Sequence, residues 1–121
     1  MKKLFFFLSL ALFTFMTEAF AVSFVDGHED IPIMDGLSQV ENDNVSFGNE
    51  ESRFVEAYLT GKGFSFEQVE RFYMETMPQL GWYFSEKGSK SMIFKRDNEI
   101  MEIVLEKSTP MLVRITVKSG F

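Results

Sequence analysis

The chain has 121 residues, of which 45% are apolar and 25% are charged, and it contains no cysteine. This length suits one ordinary domain, and the apolar content is too high for a wholly disordered chain. The composition therefore excludes a large multidomain enzyme, a disulfide-stapled miniprotein and a thiolate metal site.

The N-terminal residues 1–21 have the pattern of a secretory signal peptide. Lys2 and Lys3 precede a run of thirteen residues, 4–16, of which only two are polar. This run spans about 20 Å as a helix, which is short of the roughly 30 Å hydrocarbon core that an uncleaved anchor must cross. Ala19-Phe20-Ala21 supplies a small-residue cleavage site. We expect cleavage after Ala21 and no stable membrane anchor afterwards.

Removal of this segment makes the remaining chain more acidic. Without Lys2, Lys3 and Glu18, residues 22–121 keep ten basic and seventeen acidic residues, a net charge of −7. An acidic protein has no electrostatic attraction to nucleic acid or to anionic lipid. We therefore expect a soluble exported domain that does not bind nucleic acid.

The negative charge is concentrated at one end of this chain. Residues 22–51 contain eight acids and no Lys or Arg, whereas residues 52–121 carry a net charge of +1. Turn-forming residues interrupt the first part, so 22–44 is predicted as an acidic extended arm or long loop. Its apolar residues are too numerous for a solvated tail. We expect them to lie against a folded domain at 45–121.

One helix is marked by its ends. Ser65 is a candidate N-cap, and Gln68 three residues later completes a capping box. Pro78 and Gly81 predict the end of the helix, which we place at about 66–77. The stripe predicted to be buried, at helical spacing, consists of Val69, Phe72, Tyr73, Thr76 and Leu80.

Alternating apolar residues predict strands on both sides of this helix. Two precede it, at 45–47 and 53–60, and three or four follow it. A two-residue turn at Asp97-Asn98 pairs Phe94 with Met101, and a three-residue loop at 108–110 pairs Leu105 with Val113. Both turns place apolar residues opposite apolar residues, and a slip of one residue would break this match.

These elements predict an α+β fold. One helix packs on one face of an antiparallel sheet of five to six strands, in the order β-β-α-β-β-β-β. The predicted core consists of Val55, Leu59, Val69, Phe72, Tyr73, Leu80, Trp82, Phe84, Phe94, Met101, Ile103, Leu105, Val113 and Ile115.

The second face of the sheet is less polar than a solvent-facing surface should be. Its apolar residues are Phe54, Tyr58, Tyr83, Ile93, Ile100, Val104 and Leu112. If contiguous, they would exceed the few hundred Å² of apolar patch that is typical of a monomer. Two interpretations stay open. In the first, the arm around residues 31–34 folds over this face, or the apolar residues of the face are scattered. In the second, the face is a docking surface for a partner or an apolar ligand.

Catalytic chemistry is poorly represented. The lone histidine, His28, lies among carboxylates at 26–30. Tight sites need ligands held by several rigid elements, and these all come from one flexible stretch. We expect a solvated acidic segment, with weak divalent-cation binding as the alternative. There is no cysteine and no G-x-S-x-G motif, so no catalytic residue, metal site or cofactor is predicted.

Two segments resemble a family of small exported bacterial domains. The first is Asp-Ile-Pro-x-Met-x-Gly-Leu, here Asp30 to Leu37, and the second is Phe-Tyr-x-x-x-(Leu/Met)-Pro-x-Leu-Gly-Trp, here Phe72 to Trp82. The family is uncharacterised, so the resemblance implies a Gram-negative periplasmic location and a sheet-plus-helix fold but supplies no activity. Asp35 stands where Pro is frequent in that pattern.

From these observations we predict a non-enzymatic periplasmic protein-interaction or accessory domain. Its partner would be an unknown envelope protein, and its oligomeric state stays open. The alternative is a small carrier that binds an apolar ligand between helix and sheet.

Overall fold

The computed structural model describes residues 23–49 and 52–119. The predicted signal peptide, 1–21, lies outside the described residues. In the described part, no helix is long and apolar enough to cross a membrane.

The described ranges contain nine strands, one α-helix and one 3₁₀ helix. The strands are β1 (Ser23–Val25), β2 (His28–Ile33), β3 (Ser38–Gln39), β4 (Val45–Gly48), β5 (Arg53–Gly61), β6 (Tyr83–Lys87), β7 (Ser91–Arg96), β8 (Glu99–Ser108) and β9 (Met111–Ser119). The helix α1 spans Phe66–Thr76 and continues into the 3₁₀ helix at Met77–Leu80.

The strands form two antiparallel sheets. β1 pairs with β2, and a seven-stranded sheet has the order β3-β5-β9-β8-β7-β6, with β4 also paired to β5. The α+β class is therefore confirmed. The predicted strand number and order are wrong, because the sheets have two and seven strands and because β1, β2 and β3 precede the first predicted strand.

The helix begins as its sequence predicts. The Ser65 hydroxyl accepts the Gln68 N–H at 3.2 Å, and the Gln68 side-chain oxygen accepts the Ser65 N–H at 2.8 Å, which completes the capping box. At the other end, Gly81 adopts a left-handed φ of 91° and closes the 3₁₀ helix. Val69, Tyr73 and Met77 are fully buried along the stripe that faces the sheet.

The register of the last strands follows the predicted apolar pairing. Phe94 lies opposite Met101, and Leu105 lies opposite Val113. The predicted three-residue loop at 108–110 is wrong, because Ser108 pairs directly with Met111. A bulge between Leu105 and Lys107 supplies the extra residue instead, so the same side chains stay on the same face.

The predicted arm packs on the helix side of the sheet, which we call the inner face. Its buried residues Val25, Ile31, Ile33, Met34 and Leu37 belong to the same core as α1 and the sheet. The Tyr73 hydroxyl donates to the Pro32 carbonyl at 2.8 Å, and Trp82 Nε1 donates to the Asp30 carbonyl at 3.2 Å. The expectation that residues 31–34 fold over the opposite face, here called the outer face, is therefore wrong.

Most of the predicted core is confirmed. Ten of its fourteen residues are buried, and Phe72, Leu80 and Leu105 are partly buried against them. The assignment of Phe84 to the core is wrong. This residue is 42% exposed because β6 is the last strand of the sheet, where few side chains pack over it. The prediction missed Ala57, Met77, Met92, Met111 and Val117.

Candidate functional site

The outer face carries all seven residues of the predicted docking face. Tyr83 is the most open of them, with 70% of its surface exposed. The remaining six are half-buried by their neighbours in the sheet: Phe54, Tyr58, Ile93, Ile100, Val104 and Leu112. Strand register places these residues on the face opposite to α1 and the arm.

Strand β4 extends this face beyond the prediction. Phe47 is 65% exposed and Val45 is 42% exposed. The Phe47 ring stacks on Phe54, with 5.4 Å between the ring centroids. The alternation of residues 45–47 and the turn residues Gly48 and Asn49 favoured a strand next to 53–60, and the structure pairs β4 with β5.

Two adjacent rows of opposite charge cross the outer face, and in a third row Arg114 of β9 binds Glu106 at 2.7 Å and lies 3.9 Å from Glu102. The basic row, in register across six strands, is Phe47, Phe54, Lys118, Ile100, Lys95 and Tyr83. The acidic row beside it is Val45, Glu56, Thr116, Glu102, Ile93 and Glu86.

The two lysines of the basic row are not neutralised by their neighbours. Within the described ranges, neither Lys95 nor Lys118 has a carboxylate oxygen within 4.0 Å. Between the rows lies a shallow depression of about 270 Å³, lined by Ile93, Ile100, Glu102, Thr116 and Lys118. The outer face therefore combines open aromatic residues, exposed cations and a concavity.

A second site lies at one end of the inner face, where four charged side chains close the core. Arg53 of β5 donates to Asp30 of β2 at 2.7 Å and also to Glu99 of β8. Arg96 of β7 donates to Glu99 at 2.9 Å and also to Asp30. Each cation thus binds both anions in a closed ring, which we call the ionic cluster. Its side chains are only 15–26% exposed.

Acid–base properties of the ionic cluster follow from this pairing. Burial raises the pKa of the Asp30 and Glu99 carboxyls, but the hydrogen bonds and charges of Arg53 and Arg96 outweigh it. Both pKa values therefore lie below their ordinary values of 3.8 and 4.5. Burial lowers the pKa of Arg53, yet its bonds to Glu99 and Asp30 raise it overall. All four groups are charged near neutral pH, and their charges cancel.

Further contacts hold the ionic cluster in place. The Arg96 guanidinium lies 4.2 Å from the centroid of the Trp82 ring, a distance typical of a cation–π contact. Arg53 donates to Nδ1 of His28 at 3.4 Å, and Nε2 of the same ring lies 3.0 Å from the Ser46 hydroxyl. These contacts tie the arm and β4 to the end of the sheet.

An open cleft of about 920 Å³ lies over the ionic cluster, with His28, Ser46, Phe47 and Asn98 in its walls. Both carboxylates at its floor are already bound by two arginines. In residues 23–49 and 52–119, no three His, Asp or Glu side chains are grouped so that they could hold a metal ion. The ion pairs of the cluster link β2 to β5, β7 and β8.

Sequence reasoning missed the ionic cluster, although part of its signal was present. Arg53, Arg96 and Glu99 occupy inner-facing positions of their strands, and the Asp97-Asn98 turn places Arg96 opposite Glu99. Asp30 gave no such signal, because it comes from the predicted arm. The structure also joins the two segments that carry the family resemblance, since Trp82 and Tyr73 bind the carbonyls of Asp30 and Pro32.

The space predicted for an apolar ligand, between helix and sheet, is filled by side chains. Val69, Tyr73, Met77 and Trp82 are all 0% exposed. A carrier would have to displace them before it could bind a ligand there.

Comparison with protein-family models, with curated proteins and with solved structures finds no match to this chain.

Proposed function

We propose that this chain is an exported, non-enzymatic protein-interaction domain that docks through the outer face of its seven-stranded sheet. The observation that carries the proposal is the exposure of two aromatic residues at opposite ends of the basic row. Phe47 is 65% exposed and Tyr83 is 70% exposed, and both lie on the face opposite to α1 and the arm. Aromatic residues are enriched in protein interfaces relative to the rest of the surface, because they bury a large area at a small entropic cost.

Export to the periplasm is supported by the three-part layout of residues 1–21, with cleavage after Ala21. The proposed partner is a protein of the same compartment. No observation favours the carrier, because the helix–sheet interface is filled. The non-enzymatic role is supported by the ionic cluster, whose carboxylates are bound by arginines and whose position ties segments together.

Position-specific photo-crosslinking in the bacterial envelope tests the docking face. A benzoylphenylalanine is placed at Tyr83 or Ile100 on the outer face, and at Met74 as a control. Met74 is a suitable control because it is 38% exposed on α1, on the other side of the sheet. We expect an adduct of defined mass from both outer-face positions and none from the helix. Equal adducts from all three positions, or none from the outer face, would overturn the proposal.

A further inference from the structure

We propose that the partner docked on the outer face is a second copy of this chain, in a two-fold symmetric, face-to-face dimer. This inference rests on the proposed function and names the occupant of the same face. Its basis is that the basic row and the acidic row lie side by side, which makes the face its own electrostatic complement.

The symmetry follows from the row geometry. A two-fold axis that lies in the plane between the sheets, crosses the strands and passes between the two rows places each basic row over the acidic row of the other copy. A two-fold axis parallel to the strands would instead place each basic row over itself, and like charges would meet. Isologous interfaces require this kind of self-complementary patch, and only the first axis provides it.

Strand order decides which charges meet across this axis. Lys118 of β9 lies over Thr116 of the second copy, between Glu56 on one neighbouring strand and Glu102 on the other. Lys95 of β7 lies over Ile93 of the second copy, between Glu102 and Glu86. Neighbouring strands are about 4.8 Å apart, and packed sheets are about 10 Å apart, so a lysine side chain reaches these carboxylates.

Apolar groups occupy the centre of the same arrangement. The axis passes over the depression of about 270 Å³ whose walls include Ile93 and Ile100. Side chains of two packed sheets interdigitate, so the depressions of both copies receive each other's aliphatic residues. At the ends of the rows, Phe47 of one copy meets Val45 of the other, and these residues are 65% and 42% exposed.

The size of the face predicts a weak dimer. Six strands about 4.8 Å apart and four residue rows about 6.8 Å apart make a surface of about 24 by 20 Å. This buries on the order of 500 Å² per copy and about 1,000 Å² in total, the lower limit for a specific interface. We therefore expect a dissociation constant on the order of 1–100 µM that rises several-fold as salt screens the lysine–carboxylate pairs.

Sedimentation equilibrium of the mature chain, from low to several hundred micromolar concentration, provides the test. One variant carries Lys95→Glu and Lys118→Glu, which makes both rows acidic. A second carries Glu56→Lys, Glu86→Lys and Glu102→Gln, which removes every acid from the acidic row and makes both rows basic. We expect each variant to be folded and monomeric alone, and the equimolar mixture to form a heterodimer, because each row again meets its opposite.

A matched control carries Lys62→Glu and Lys90→Glu, two exposed loop lysines that belong to neither row, and it should dimerise like the unmodified chain. A monomeric unmodified chain, or folded variants that do not associate when mixed, would overturn the dimer. If outer-face crosslinks to a different protein persist with a monomeric chain, the docking face stands and only the self-pairing fails. If outer-face crosslinks are also missing, both proposals fail.

Discussion

One charged residue of the arm adds to its attachment to the sheet. Asp30 is the arm's only contribution to the ionic cluster, where it binds both Arg53 and Arg96. Without its charge, two arginines at a half-buried site would share one carboxylate, that of Glu99. The cost of an unpaired buried charge exceeds the value of the pair that was lost.

Asp30→Asn should therefore lower the free energy of unfolding by about 1–3 kcal/mol, because partial solvent access keeps the loss below that of a fully buried pair. Denaturation in urea measures this change. Asp35→Asn is the matched control, since Asp35 is an exposed acid of the same segment with no ion pair in the described residues. Equal midpoints for the two variants would contradict the structural role of Asp30.

Titration of the same carboxyls predicts how stability depends on pH. The pKa values of Asp30 and Glu99 are lower in the folded chain than their ordinary values of 3.8 and 4.5. Between these values the unfolded chain binds more protons, so the free energy of unfolding rises with pH there. The stabilisation is complete above the ordinary values and is lost as the pH falls through the folded ones.

Urea midpoints measured from about pH 6 down to about pH 2 should therefore fall steeply in the unmodified chain. The double variant Asp30→Asn with Glu99→Gln lacks both shifted groups, so it should be less stable near neutral pH and show a shallower fall in acid. Parallel curves for the two proteins would rule out the ionic cluster as the source of the acid sensitivity.

At the scale of elements, the arm meets the helix through a close approach at one glycine. Gly36 has a φ of 100°, and a side chain there would collide with the ring of Phe64, which directly precedes the helix cap. Gly27, in the turn between β1 and β2, also has a positive φ, of 80°, but open space around it. The two glycines share a backbone requirement and differ in packing.

Gly27→Ala should cost about 1–2 kcal/mol of folding free energy, the price of a left-handed conformation for a residue with a Cβ. Gly36→Ala should cost about 1–3 kcal/mol more, because the new methyl group must also displace Phe64. Thermal or urea unfolding of both variants measures this difference, which is the contribution of packing at Gly36. Equal losses of folding free energy in both variants would mean that the arm is not closely packed against Phe64 at the start of α1.

Local signals explain which elements the sequence could predict. The capping box at Ser65 and the alternation of β7, β8 and β9 act over a few residues, so they are readable without tertiary information. β1 and β2 were missed because Gly27, Pro32 and the acids around them favour loops, whereas these strands form by packing on a core assembled elsewhere. Asp30 and Arg96 are distant in sequence, so their contact had no local signature.

Local alternation along single strands predicted only part of the docking face. Alternation assigned Tyr83 and Ile100 to the outer face, but the two charge rows depend on the pairing of six strands. That pairing includes β5 with β9, which lie far apart in the chain and had no local signal. Phe47, the second most exposed aromatic residue of the basic row, was not assigned to the docking face.

At the scale of the whole molecule, the excess negative charge lies on the inner side of the sheet, in the segment that packs with α1. The exposed acids Asp26, Glu29 and Asp35 belong to the segment that packs with α1 on the inner face. The outer face instead carries both signs in alternate rows. Excess negative charge therefore lies away from the proposed interface, so two acidic copies can approach face to face with little repulsion there.

The buried apolar residues of the arm make it part of the domain's core. Val25, Ile31, Ile33, Met34 and Leu37 are buried with 0–8% of their surface exposed. Burial of such side chains contributes about 1.5–3 kcal/mol each, or on the order of 7–15 kcal/mol for the five. That sum is an upper value, but it equals the whole stability of an ordinary domain, about 5–15 kcal/mol. The segment 45–121 should therefore not be stable alone.

A chain of residues 45–121 should show no cooperative urea transition and no near-ultraviolet circular dichroism from Trp82, which would lose its cover and its bond to the Asp30 carbonyl. Residues 22–121 serve as the folded reference. A synthetic peptide of residues 22–44, added in excess, should restore the tryptophan signal, since its apolar residues complete the same core. A cooperative transition in 45–121 by itself would instead establish the arm as an appendage to an independent sheet-and-helix domain, the division that the charge pattern first predicted.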